Sequence, residues 1–192
     1  DKGDVGINNA GVYVTSEPRT SSGLDVRFVV NTIAPYLLTR RLLANIPDDG
    51  RIVNLSSAAQ APVDVTALTG HTQLSDGAAY AQSKLAITMW SREMAIELGD
   101  NGPVVVAVNP GSLLGSKMVK EAFGTVRADV SVGAEILCKA ALDGAFSDKS
   151  GAYFDNDSGR FAPPHADGLA TVKSQKVVAV IERLLTEAGH AV

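Results

Sequence analysis

The chain has 192 residues, 45% hydrophobic and 20% charged, enough for one domain with a substantial core. A net charge of -4, from 17 basic and 21 acidic residues, argues against a nucleic-acid footprint. The longest apolar runs, "VVVAV" and "VVAVI", are too short for a membrane-spanning helix, so no membrane segment is expected.

In chain order, Asp4–Asn8 reads as a short strand running into the turn residues Asn8, Asn9 and Gly11. Residues 14–23 are a loop. From Leu24 to Ile46 apolar residues recur at helical spacing. Arg51–Ser57, "RIVNLSS", is a second strand, apolar on both faces in places, as a buried parallel strand would be. Residues 58–77 are irregular. Gly77–Leu98 is a long helix closed by Gly99. "VVVAVNPG" is a third strand, followed by helices near Ser116–Phe123 and Val130–Ala145. Ala152–Phe154 is a short fourth strand, and a last helix covers about residues 174–188. Strand and helix alternate, which predicts one α/β domain, residues 1–192, with a parallel sheet, right-handed crossovers and helices on both faces.

In such sheets ligands bind beyond the carboxyl ends of the strands. The three turns there read "NNAG", "SS" and "NPGSLLGS", all small, polar or backbone-exposing. In the long helix, "AAYAQSKLAITMW" carries Tyr80 and Lys84 four residues apart, on one face. A lysine cation one turn away favours phenolate, so the pair could work as a tunable acid/base; as a bare spacing such a pair is usually structural. Ser57 ends a strand at the same sheet edge, where its hydroxyl could hold a substrate oxygen or simply serve a turn. Asn31 precedes Pro35 by four residues, so its carbonyl loses its helical N–H partner and the helix should kink. That carbonyl either lies at a surface bend or positions a water beside Lys84.

"INNAG", "FVVNTIAPYLLT", "RIVNLSS", "YAQSK" and "NPGSLLGSKM" occur in the order found in the short-chain dehydrogenase/reductase family, and the sequence resembles that family over almost its whole length. The resemblance implies a Rossmann-type doubly wound sheet. It also implies hydride transfer between NAD or NADP and an alcohol/carbonyl pair. Tyr80 would then be the general acid/base, and Lys84 would lower its pKa and bond the nicotinamide ribose. Ser57, rather than Ser56, would orient the substrate oxygen, and Asn31 would hold a relay water. Asn9, Ala10 and Gly11 would line the adenosine side of the cofactor. Pro110, Gly111, the backbone near Leu113, and Ser116 would meet the nicotinamide. The Ser57–Tyr80 separation is similar to that of the carbonyl reductase and retinol dehydrogenase branch, with residues 58–77 as a wall over a small-molecule substrate. The family's long helices often pair between subunits, so a homodimer or homotetramer is expected, with Trp90 and Met94 continuing the apolar helix surface.

The family's glycine-rich dinucleotide turn should lie well before "NNAG", and nothing precedes it here; "GSLLGSK" is not a substitute. The sequence therefore predicts only the C-terminal part of the sheet: three to four strands with flanking helices, the first three strands absent. It reads as a fragment, with the isolated chain inactive and the cofactor preference unreadable. Alternatives are a non-catalytic cofactor-sensing or scaffold homologue, or an epimerase or lyase on the same scaffold.

No metal site is expected. "DNDSG" lacks the sharp-turn glycine and final carboxylate of a calcium loop, since Arg160 and Ala166 hold those places. His71, His165 and His190 are scattered. Cys138 is the single cysteine and is expected to be a small buried hydrophobe. It cannot form an internal disulfide, which agrees with a reducing compartment, and a cytoplasmic location without a signal peptide is expected.

Overall fold

A computed structural model describes residues 4–115, 118–120, 124–126 and 128–191. Four parallel strands, β1 (Val5–Asn8), β2 (Arg51–Leu55), β3 (Val104–Asn109) and β4 (Tyr153–Asp155), lie side by side in sequence order. A fifth, β5 (Arg160–Phe161), pairs with β4 antiparallel. The expectation of three to four strands, all parallel, is thus corrected to a five-stranded mixed sheet. The reason is local. Residues 156–159 form a tight turn with Gly159 at φ 68°, which sends the chain back along β4.

Period-two alternation divides the strand side chains between two cores. Ile52 and Val105 enter one, with Phe28, Tyr36, Leu85, Trp90, Val177 and Ile181. Val53, Val106 and Val108 enter the other, with Ile136, Ala140, Phe146 and Phe154. Helices α1 (Val26–Phe28), α2 (Ala34–Leu42), α3 (Val65–Leu68), α4 (Asp76–Leu98) and α6 (Thr171–Glu187) supply the first core, and α5 (Val130–Leu142) the second. The sheet is therefore covered on both faces, as expected.

Helix α4 is the central post. Ser75 caps its start, Asp76 sits in its first turn, and Gly99 ends it at φ 61°. Most of its middle is buried on all sides. Trp90 is 0% exposed and Met94 1%, packed inside this chain with the Tyr36 ring edge-on to Trp90 at 5.5 Å. That surface is covered from within, so these two residues do not form a subunit face. Truncating Trp90 to Ala would cost about 3–5 kcal/mol.

The helix expected over Leu24–Ile46 is interrupted. A π-helical turn, Val29–Ile33, joins α1 to α2, and the Ala34 N–H bonds back to Val29 O. The wider turn stands where a Pro35 kink was expected, since proline cannot donate to the Asn31 carbonyl. Residues 58–77 contain α3, capped by the Asp64 side chain. The last helix starts at Thr171, and α5 ends at Leu142, where extended Asp143 caps the next turn through Ala145 N–H. Of the helix expected over Ser116–Phe123, residues 118–120 are helical, and 116, 117 and 121–123 lie outside the described residues. Cys138 lies exposed on α5, not buried as expected. Among the described residues no helix is long and apolar enough to cross a membrane, and no group of His, Cys, Asp and Glu could hold a metal.

Candidate active site

The carboxyl ends of β1, β2 and β3 meet the Tyr80–Lys84 face of α4 at a cavity of about 530 Å³. Asn9, Ala10, Gly11, Tyr80, Lys84, Pro110 and Gly111 contribute to its wall. Seven of the residues singled out in the sequence therefore converge. Leu113 lies in the same turn with a left-handed backbone, φ 54°, a conformation uncommon for a branched side chain. The wall there is formed by its neighbour Leu114. Ser116 lies outside the described residues.

Ser57 follows β2 closely, and its hydroxyl lies near enough to the Tyr80 phenol to lower its pKa, although the cavity wall itself is formed by its neighbour Ser56. The Ser57 hydroxyl accepts from Ala59 N–H at 3.1 Å. Ser56, the other candidate, has its hydroxyl committed to α4, 3.1 Å from Lys84 O and 2.7 Å from Thr88 Oγ1. The Ser57 carbonyl accepts from Gln60 Nε2 at 3.0 Å and from the Tyr153 hydroxyl at 3.1 Å. Two side chains from different segments thus hold the backbone of Ser57.

Lys84 is buried, and its ammonium donates to Leu55 O at 2.8 Å. The same nitrogen lies 5.6 Å from the centre of the Tyr80 ring. Burial pulls the Lys84 pKa down to about 8. The Tyr80 phenol is pushed up from its ordinary value, chiefly by burial; the Ser57 hydrogen bond opposes this and nearby Tyr13 adds to it. The sequence led us to expect a phenol pulled down by Lys84. Here desolvation outweighs the cation, which sits beside the ring and is held by a backbone carbonyl.

Asn31 is buried in the π turn. Its side chain grips Val12 on both sides: Oδ1 accepts from Val12 N at 2.8 Å and Nδ2 donates to Val12 O at 2.9 Å. Nδ2 also donates to Ser83 Oγ at 3.0 Å, and Ser83 donates to Tyr80 O at 2.7 Å. A side-chain role was not legible in the sequence, where only the backbone carbonyl drew attention. Beside it, a Cβ on Gly11 would stand 3.5 Å from Asn31 Oδ1 and 3.7 Å from Lys84 Nζ.

Other residues were not singled out as part of the site; the sequence marks Asn8 only as a turn residue. Asn8 donates to Asn54 Oδ1 at 2.7 Å and to Thr39 at 3.0 Å, and Asn54 donates to Ser91 at 2.8 Å, a polar chain beneath the site. Tyr13 packs its ring 4.7 Å from that of Tyr80. Buried Arg27 pairs with Asp25 at 2.7 Å and Asp76 at 2.5 Å, fastening the loop after β1 to the start of α4. Arg19 donates to the carbonyls of Gly23 and Gly70, stitching that loop to the 58–77 segment. For Arg19, Asp25 and Arg27 the sequence signal was charge in and beside a loop otherwise poor in structure.

The family model for short chain dehydrogenase matches residues 2–126. Retinol dehydrogenase 12 of Bos taurus is 31% identical over 180 residues, 87% of this chain and 57% of that protein. The chain thus spans little more than half the length of this curated relative. An NADPH-bound carbonyl reductase from chicken fatty liver superposes with a TM-score of 0.59 at 26% identity, covering 81% of this chain and 64% of the other. An uncharacterized protein from Mycobacterium paratuberculosis gives a TM-score of 0.72 at 24% identity, covering 96% and 68%, a likeness of fold.

The family match begins at residue 2, so the reading of a sheet with its first three strands absent is withdrawn. That reading counted strands from one missing glycine motif, which is a poor measure of a sheet. The match runs through the β1 turn, the π turn, Ser57, the Tyr80–Lys84 helix and the Pro110–Gly111 turn, and the chain belongs to the short-chain dehydrogenase family.

Proposed function

We propose that the protein is an NAD(P)-dependent oxidoreductase that interconverts a small-molecule alcohol and its carbonyl, with Tyr80 exchanging the proton. One observation carries this reading. Tyr80 and buried Lys84 line one cavity at the carboxyl ends of three parallel strands, with the Ser57 hydroxyl near enough to the Tyr80 phenol to influence its pKa.

The residues present fit the nicotinamide end of such a cofactor. Gly11, which the resemblance set on the adenosine side, presents bare backbone beside Lys84, and Gly111, at φ 126°, lines the same cavity. Lys84 carries three N–H donors, and the Leu55 carbonyl takes one. The others suit ribose hydroxyls. Bound there, the dinucleotide would supply or accept a hydride.

In the reducing direction Ser57 orients the substrate oxygen and Tyr80 donates its proton to that oxygen as the carbonyl carbon gains hydride. The alcohol leaves, and Tyr80 regains its proton from solvent. Burial keeps the phenol protonated at neutral pH, which suits a donor. Lys84 stabilises the phenolate left behind. Asn31 fixes both the loop over the site, through Val12, and the turn of α4 that carries Tyr80, through Ser83.

A homo-oligomer belongs to the same proposal. Its support is Leu38 and Leu42, exposed one turn apart on α2, and Ile96, exposed on α4. A monomer by sedimentation would remove that element.

The test is titration of the purified protein with NADH and NADPH by nicotinamide fluorescence, followed by assay against a panel of aldehydes and ketones. The reading predicts saturable binding of at least one dinucleotide and its oxidation in step with carbonyl loss. Absence of binding to both contradicts it. Binding without net redox turnover would point to sensing, or to redox-neutral chemistry on the same scaffold.

A further inference from the structure

The turn after β3 forms one wall of the cavity through Pro110, Gly111 and Leu114, yet its own sequence does little to hold it in one shape. Gly111 stands at φ 126° and Leu113 at φ 54°, both outside the comfortable range for ordinary side chains. What fixes the turn comes from elsewhere in the chain.

The turn between β4 and β5 lies alongside, because Asn109 and Asp155 are register partners in neighbouring strands. From there Asp157 accepts hydrogen bonds from the β3 turn. Its Oδ1 takes Ser112 N–H at 2.8 Å, and its Oδ2 takes Ser112 Oγ at 2.5 Å and Asn109 Nδ2 at 2.9 Å. Asn109 Nδ2 also donates to Asp155 Oδ1 at 2.8 Å, and Asn109 Oδ1 accepts from Gly111 N–H at 3.2 Å. Asn156 donates to Pro110 O at 2.9 Å, and its own N–H donates to Asn109 O at 3.1 Å. Residues 109, 110 and 112 are thereby tied to the β4–β5 turn directly, and Gly111 through Asn109. Two carboxylates share one amide, an arrangement that costs like-charge repulsion and that a merely structural turn does not require. Burial works to raise the Asp155 pKa, but hydrogen bonds from Asn109 and Ser158 bring it below the ordinary carboxylate range, so its charge persists.

We propose that Asp157 is a positioning residue of this site, holding the Pro110–Gly111 turn in the shape that receives the nicotinamide end of the cofactor. The inference rests on the oxidoreductase reading above. Asp157 acts through Ser112 and Asn109 and need not touch substrate or cofactor itself. The specificity of the device lies in its geometry: one planar carboxylate meets a backbone N–H, a hydroxyl and an amide from two parts of the same turn.

The experiment compares wild type, Asp157→Ala and Asp157→Asn for dinucleotide affinity, KM for dinucleotide, kcat and thermal midpoint. The expected result is a rise of about tenfold in cofactor KM and Kd for Asp157→Ala, with kcat within about twofold. Asp157→Asn keeps one acceptor oxygen for Ser112 and is expected to fall between. Should Asp157→Ala fail to fold, Ser112→Ala, which removes only the hydroxyl bond, is expected to raise KM a few-fold at an unchanged thermal midpoint. A lowered thermal midpoint with wild-type KM, or no change in either, overturns the proposal while leaving the oxidoreductase reading intact. If wild type binds neither dinucleotide, the oxidoreductase reading fails and this inference fails with it.

Discussion

The ammonium of Lys84, buried beneath the site, donates to the backbone carbonyl of Leu55 at 2.8 Å. A cation in that place is costly. With its pKa drawn down to about 8 from 10.5, keeping it charged at pH 7 costs about 3 kcal/mol. Lys84→Met is therefore expected to raise unfolding stability by about that amount at pH 7 while abolishing turnover. The sign follows from proton binding. Between about pH 8 and 10.5 the unfolded chain holds the lysine proton and the folded chain does not, so wild-type stability rises with pH from this group. Below about pH 8 the penalty is fully present. Urea unfolding across this range should show the rise in wild type and its absence in Lys84→Met. Parallel profiles, or a variant less stable at pH 7, would refute this account of Lys84.

Gly11 offers a cleaner probe of the space over that cation. A methyl group there would meet Asn31 Oδ1 at 3.5 Å, Met118 Cε at 3.6 Å and Lys84 Nζ at 3.7 Å, all ordinary contact distances. Gly11→Ala should fold at least as stably as wild type, gaining up to about 1 kcal/mol through the unfolded state. It should nevertheless bind dinucleotide about tenfold more weakly, because the methyl occupies polar space beside Lys84. A calorimetric titration with unchanged affinity would show that this space is not used.

Tyr153 reaches the site from β4, where its hydroxyl donates to the Ser57 carbonyl at 3.1 Å. Tyr153→Phe removes that bond and leaves Gln60 Nε2 as the other donor to the same oxygen. The expected stability loss is about 1 kcal/mol. Steady-state assay should show kcat reduced by roughly three- to tenfold with dinucleotide affinity unchanged, since Ser57 loses orientation and the cofactor wall does not. Equal loss in kcat and in cofactor affinity would argue for a general loosening of the sheet instead.

What could be read from sequence was what local spacing controls. The separation of four between Tyr80 and Lys84 places them on one helix face. Ser57 had to follow β2 at the edge where β1 and β3 also end, and Pro35 marked a disturbed helix. What escaped was set by contacts distant in sequence. Asn31 holds Val12 across 19 residues, and Tyr153 reaches Ser57 across 96. Neither leaves a periodic trace. The antiparallel β5 is two residues long, too short for alternation to appear. The reading of three absent strands failed for a different reason. It was inferred from a motif rather than from the run of apolar residues, which by itself placed β1 to β4 correctly to within a few residues. The pKa of Tyr80 failed because proximity to a cation was weighed without the burial of the phenol.

The proton role of Tyr80 is the centre of this account, and Tyr80→Phe tests it with the loss of a single oxygen. The variant leaves the ring against Tyr13, and Lys84 still has the Leu55 carbonyl to hold it. Measured beside wild type for carbonyl reduction and for dinucleotide binding, it should lose roughly 10²–10⁴-fold in kcat while binding dinucleotide with an affinity within a few-fold of wild type. A kcat within a few-fold of wild type would contradict the account, because the proton would then come from another group.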